Sequence, residues 1–154
     1  MKYFTFTEFE RSDTATKYAI DNSIPESAKK NIAALVDTVL DPLREAWGKP
    51  IDVSSGYRNA TLNPLVGGSR TSQHMTGEAA DIRIFVRDEK GNKLKDRKGN
   101  FIIDKVANRK LFQMIQDLHL PFDQLIDEND FSWVHVSHRR NGANRGEIKK
   151  LYKK

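Results

Sequence analysis

Two histidines and one aspartate in this sequence have the types and spacing for metal chemistry. His74 and Asp81 lie in Ser72-Gln73-His74-Met75-Thr76-Gly77-Glu78-Ala79-Ala80-Asp81, and His135 is the centre of Trp133-Val134-His135-Val136-Ser137. Two imidazoles and one carboxylate, with water in a fourth position, form a catalytic zinc pattern. The chain has no cysteine and four histidines. Any metal must therefore be held by imidazole and carboxylate, and the candidates are few. The helical His-Glu-x-x-His signature is absent. Taken singly, a strand histidine is more often packed or exposed than ligating, and an aspartate at a strand start more often caps a turn. Spacing alone makes the trio a candidate and no more.

The elements that must position these residues follow from periodicity. Residues 80 to 86 alternate as a strand, with Ile82, Ile84 and Val86 on one face and Asp81, Arg83 and Phe85 on the other. Residues 133 to 137 alternate likewise, with His135 pointing away from Val134 and Val136. If the two strands pair, Asp81 and His135 stand about 5 Å apart on one face. His74 reaches in from residues 55 to 76, rich in Gly, Ser, Thr and Asn and long for an unstructured loop.

Around these, residues 26 to 47 read as a helix through Ile32, Leu35, Val36, Val39, Leu40, Leu43 and Trp47. Pro42 predicts a kink or break near Asp41, and Gly48 and Pro50 end the pattern. Further helices are expected around residues 14 to 21 and 108 to 118, and strands over 51 to 54 and 124 to 127. Residues 87 to 105 are charged, with two Lys-Gly-Asn turn signals, and read as a surface β-ribbon. The mixture predicts an α+β fold, a small antiparallel sheet carrying the metal site and flanked by helices.

The 154 residues suit a single domain, 1–154, and the 38% hydrophobic content is that of a folded chain. The net charge of +5 is local: from His138 onward seven cations face one anion, Glu147, leaving the rest of the chain at −1. Residues 138 to 154 thus read as a basic tail, suited to anchoring on an anionic polymer such as a cell wall. With one aromatic, Tyr152, and no nucleic-acid motif, the tail does not argue for nucleic-acid binding. No membrane span or signal core is visible. The expectation is a monomer, cytoplasmic as made.

Ser72-Gln73-His74, Gly77, Ala79 and Asp81 resemble the Ser-x-His-x-x-Gly-x-Ala-x-Asp motif of the zinc D-alanyl-D-alanine carboxypeptidases and related endolysin peptidases. Trp133-Val134-His135-Val136-Ser137 resembles their second motif. Ser55-Gly56-Tyr57-Arg58 resembles their arginine-bearing turn, and Phe122-Asp123-Gln124-Leu125-Ile126 the segment before their last strand. The resemblance implies a Hedgehog/DD-peptidase fold and Zn2+ held by His74, Asp81 and His135. It also implies cleavage of peptidoglycan stem peptides, as a D-Ala-D-Ala carboxypeptidase or a cross-link endopeptidase, such as a phage or prophage lysin released to act on the wall. Arg58 then holds the substrate carboxylate or the developing oxyanion. Ser72, read from its type and place, bonds substrate, orients a ligand or caps the loop. Several relatives carry a catalytic glutamate three residues before the last histidine ligand; here that position is Ser132. Glu128 is the first candidate for the general base and Asp130 the second. Without a base, the chain would be a non-catalytic zinc-containing wall-binding module. His138 faces away from His135 and is not counted as a ligand; His119, at a helix end, suits the helix dipole.

Overall fold

Alternation of apolar and polar residues builds a sheet with two chemically different faces. The computed structural model describes residues 1–152, and five strands lie among them: Asp52–Ser55 (β1), Ala79–Arg83 (β2), Gln124–Glu128 (β3), Trp133–Ser137 (β4) and Glu147–Leu151 (β5). Their spatial order is β1-β2-β4-β3-β5. Neighbours are antiparallel except β3 and β5, which run parallel. Val53, Ala80, Ile82, Leu125, Val134 and Val136 enter the hydrophobic core from one face. Asp81, Gln124, Ile126, Glu128 and His135 line a cavity on the other. The α+β expectation holds.

Helices cover the core face. Glu26–Leu35 (α3) passes through a π-helical turn, Val36–Leu40, into Asp41–Trp47 (α4). Pro42 lacks an N–H, and in a regular α-helix its ring would collide with the carbonyl four residues back. The wider turn just ahead of it accommodates the proline, so the helical path deviates without breaking. Ile32, Leu35, Val36, Val39, Leu40 and Leu43 stay fully buried along it. Gly48, left-handed at φ 76, closes the helix. Lys105–Asp117 (α6) starts where the Asp104 side chain accepts from the Ala107 N–H, and it buries Leu111 and Ile115. Three short helices, Phe6–Glu10 (α1), Asp13–Lys17 (α2) and Leu62–Leu65 (α5), complete the set among the described residues. None of the described helices is long and apolar enough to cross a membrane.

The charged excursion is a ribbon, tied by bridges Phe85–Ile103, Arg87–Lys93 and Lys95–Phe101. Its two turns are built alike. Asp88 accepts from the N–H groups of Lys90 and Asn92, and Asp96 from those of Lys98 and Asn100.

The basic end corrects the expectation of a tail. Residues 138 to 146 are tied down at both ends, by the His138 N–H on the Glu78 carbonyl and the Gly146 N–H on the Phe122 carbonyl, and β5 aligns Ile148 with Leu125 and Lys150 with Asp127. Lys153 and Lys154 lie outside the described residues. The strand escapes sequence reading because it is an edge strand. All of its residues but Glu147 are exposed, so no apolar alternation marks it.

Candidate metal centre and active site

The pairing of β2 with β4 sets Asp81 opposite His135. Asp81 Oδ1 lies 3.0 Å from His135 Nδ1. His74 comes from a 3-10 turn, Gln73–Thr76, capped by the Ser72 hydroxyl, which accepts from the His74 N–H at 3.2 Å. Gly77 ends that turn at φ 78. A Cβ there would press on the Ala28 carbonyl of α3, so only glycine lets the turn sit this close. His74 Nε2 then stands 3.3 Å from both Asp81 Oδ1 and His135 Nδ1.

These three residues form a group that can hold a metal ion. The chemistry of the donors fits zinc. His74 Nδ1 lies 2.7 Å from the Gly56 carbonyl. A carbonyl only accepts, so Nδ1 carries the hydrogen and Nε2 presents its lone pair. Burial pushes the His74 imidazole towards its neutral form, against the opposing pull of Asp81. Burial alone would raise the Asp81 carboxyl, but the facing His74 and His135 rings outweigh it and hold the carboxyl below its usual range. Lone-pair imidazole and ionised carboxylate are the ligating forms.

The cavity over these donors has a volume of about 630 Å³, and Arg58, Ser72 and Glu128 also line it. Arg58 is buried, which lowers its guanidinium from the usual value, while Asp81 and Glu128 support its charge. Its Nε donates to Ser55 Oγ at 3.1 Å and one terminal nitrogen to Asn63 Oδ1 at 3.1 Å. The other terminal nitrogen is 3.6 Å from Asp81 Oδ2. A Cβ at Gly68 would strike both Asn63 and Arg58, so glycine there leaves room for the Arg58–Asn63 contact.

Glu128 and Asp130 part company. Glu128 is buried at the end of β3, on the same face as Gln124 and Ile126. Asn129, Asp130 and Phe131 then form a left-handed turn, φ 51 to 59. Asp127 accepts from the Phe131 N–H at 2.6 Å, and the Ser132 N–H donates to the Glu128 carbonyl at 3.0 Å. This turn leaves Asp130 exposed and off the cavity wall. Asp130 is therefore not brought to the trio, which corrects its place beside Glu128 as a candidate base. His138 is held apart by the Pro121 carbonyl, 2.6 Å from its Nδ1. His119 sits at the end of α6 with left-handed backbone.

The family model of peptidase M15 matches residues 2–101, more than half of the chain. The chain belongs to the peptidase M15 family. Over 80 residues it is 34% identical to a zinc D-Ala-D-Ala carboxypeptidase of Streptomyces albus G. That stretch covers 51% of this chain and 30% of the relative, so the chain spans less than a third of the relative's length. Within this M15 chain, the family match includes Arg58, His74 and Asp81, and strand pairing adds His135 from beyond it.

Among the cavity-lining residues that escaped the sequence reading in this role are Gln73, Gln124, Arg139 and Arg145. Gln73 and Gln124 stood inside recognisable motifs without a role, and the arginines were read as tail. Asp123, the common anchor of Gln73, Arg139 and Arg145, is fully buried.

Proposed function

We propose that this M15 chain is a zinc peptidase that hydrolyses stem peptides of peptidoglycan, as a D-Ala-D-Ala carboxypeptidase or a cross-link endopeptidase. The observation that carries the reading is the convergence of His74, Asp81 and His135 in a cavity that also holds buried Glu128 and Arg58. His74 Nε2, His135 Nδ1 and an Asp81 oxygen would hold the zinc. When bound there, zinc supplies Lewis acidity towards the scissile carbonyl and lowers the pKa of water towards about 7. Arg58, fixed by Ser55 and Asn63, holds the carbonyl oxygen as charge builds on it, or the substrate's terminal carboxylate. Glu128 takes the proton of the attacking water on its carboxylate and returns it to the leaving amine nitrogen. Ser72 orients His74 through the capping bond. The non-catalytic reading rested on Ser132; Glu128 in the cavity supplies the carboxylate that Ser132 cannot.

Digestion of purified peptidoglycan, with mass analysis of the fragments, tests this and names the bond. The zinc-loaded chain should release D-alanine or a new amine. Glu128→Gln should lose at least a hundredfold in turnover, the range of general acid–base catalysis, while Asp130→Asn stays near wild type. No cleavage by the zinc-loaded chain would reject the enzyme reading on this substrate, and full turnover by Glu128→Gln would reject Glu128 as base.

A further inference from the structure

Asp123 is 0% exposed, yet it gathers two arginines and a glutamine. Arg145 grips it with Nε at 3.1 Å and a terminal nitrogen at 2.9 Å, and the Arg145 backbone N–H adds a bond of 2.9 Å. Arg139 meets it through Nε alone, at 3.2 Å. Gln73 Nε2 donates to it at 3.0 Å. Arg139, Arg145 and Gln73 all line the cavity of the metal centre. The two arginines are 40% and 45% exposed, so their outer atoms meet solvent while Asp123 holds them from beneath.

Two guanidinium groups on one carboxylate leave a positive charge over. Glu147 stands 3.9 Å from Arg145 but 2.9 Å from Lys149, so it answers chiefly the lysine. Among the described residues no acceptor meets the terminal nitrogens of Arg139. Those nitrogens form the planar fork that suits a carboxylate. Gln73 supplies a second, independent feature. Its Nε2 is committed to Asp123, and its Oε1 is buried with no protein partner. A buried acceptor without a donor is uncommon and costly, and a peptide N–H would satisfy it.

We propose that Arg139, with Arg145 beside it and Gln73 Oε1 below, forms a carboxylate-binding subsite, making the chain selective for peptides with a carboxylate away from the scissile bond. This deepens the peptidase reading and rests on it for the identity of the substrate. Asp123 is a positioning residue, for its carboxylate acts through Arg139, Arg145 and Gln73, the groups that would touch the ligand. A purely structural clamp would need neither the unmet nitrogens of Arg139 nor the unmet oxygen of Gln73.

The test uses the zinc-loaded chain and matched pentapeptides with glutamate or glutamine at each position in turn. Calorimetry gives Kd without requiring turnover, and cleavage gives KM and kcat. At one position glutamate should bind about tenfold tighter than glutamine, as a charge-assisted bond implies, with the difference in KM rather than kcat. Arg139→Gln should reduce that preference to about twofold, and Arg139→Lys should restore part of it. No preference in the wild type, or an undiminished one in Arg139→Gln, overturns the subsite. A calorimetric preference without cleavage would keep the subsite and reject the peptidase reading; cleavage without preference would do the reverse.

Discussion

Replacing Asp123 by asparagine should cost roughly 2 kcal/mol of stability at neutral pH and remove a specific acid-unfolding step. Burial would raise the Asp123 carboxyl, but the Arg145 side chain and backbone, Gln73 and Arg139 outweigh it and hold the carboxyl at about 2, against an ordinary 3.8. Each pH unit of separation is worth ~1.4 kcal/mol, which gives roughly 2 kcal/mol. Because the folded value is depressed, this stability is fully present above pH 3.8 and is lost as pH falls towards 2. Breaking a buried ion pair can cost about 3–5 kcal/mol, but both arginines are partly exposed and can recover water, so the lower figure is expected. Asparagine would also aim an amide N–H group at donors, loosening the loop before β5. Urea unfolding of wild type and Asp123→Asn at pH 7, 4 and 2.5 measures this. The gap should be widest at pH 7 and shrink by pH 2.5. A gap below about 0.5 kcal/mol at pH 7, or one independent of pH, would refute the clamp.

Other outcomes follow from single contacts. Gly68→Ala should displace Asn63 and Arg58 and lower kcat/KM at least tenfold, with a smaller effect on zinc content; a fully active variant would show that the Arg58 loop is not held as described. Asn108 accepts from the Ile84 N–H at 2.7 Å and donates to the Phe131 carbonyl at 2.8 Å. Asn108→Ala leaves both groups unmet and should cost about 2 kcal/mol in urea unfolding. Zinc at about a hundred times its Kd should stabilise the fold by ~2.7 kcal/mol and raise Tm by roughly 5–10 °C, and a chelator should reverse it.

How far the sequence reveals the site depends on the range of the forces involved. Local strand alternation puts Asp81 and His135 on matching faces, but the pairing of β2 with β4, which brings together residues 54 apart in sequence, is tertiary and is not given by alternation. Arg58 and His74 become legible through motifs, although their mutual support, a backbone bond from the Arg58 N–H to the His74 carbonyl, is tertiary. The choice between Glu128 and Asp130 is not legible. It turns on three consecutive left-handed residues, one of them Phe131, held by Asp127 and Asn108. The Asp123 clamp is hidden for a related reason. Its closer arginine partner, Arg145, lies 22 residues away, on the approach to an edge strand whose exposed residues carry no apolar signal. The proline in the long helix announces a disturbance, but only packing against the sheet decides that a π turn absorbs it.

The central claim is that His74, Asp81 and His135 together hold one zinc ion. Elemental analysis after equilibrium dialysis tests it directly, on the wild-type chain and on His74→Ala, Asp81→Ala and His135→Ala variants shown to be folded. One zinc per chain is expected for the wild type and less than about a tenth of that for each histidine variant, with Asp81→Ala weakened likewise. A wild-type chain without zinc, or variants that keep it in full, would contradict the account.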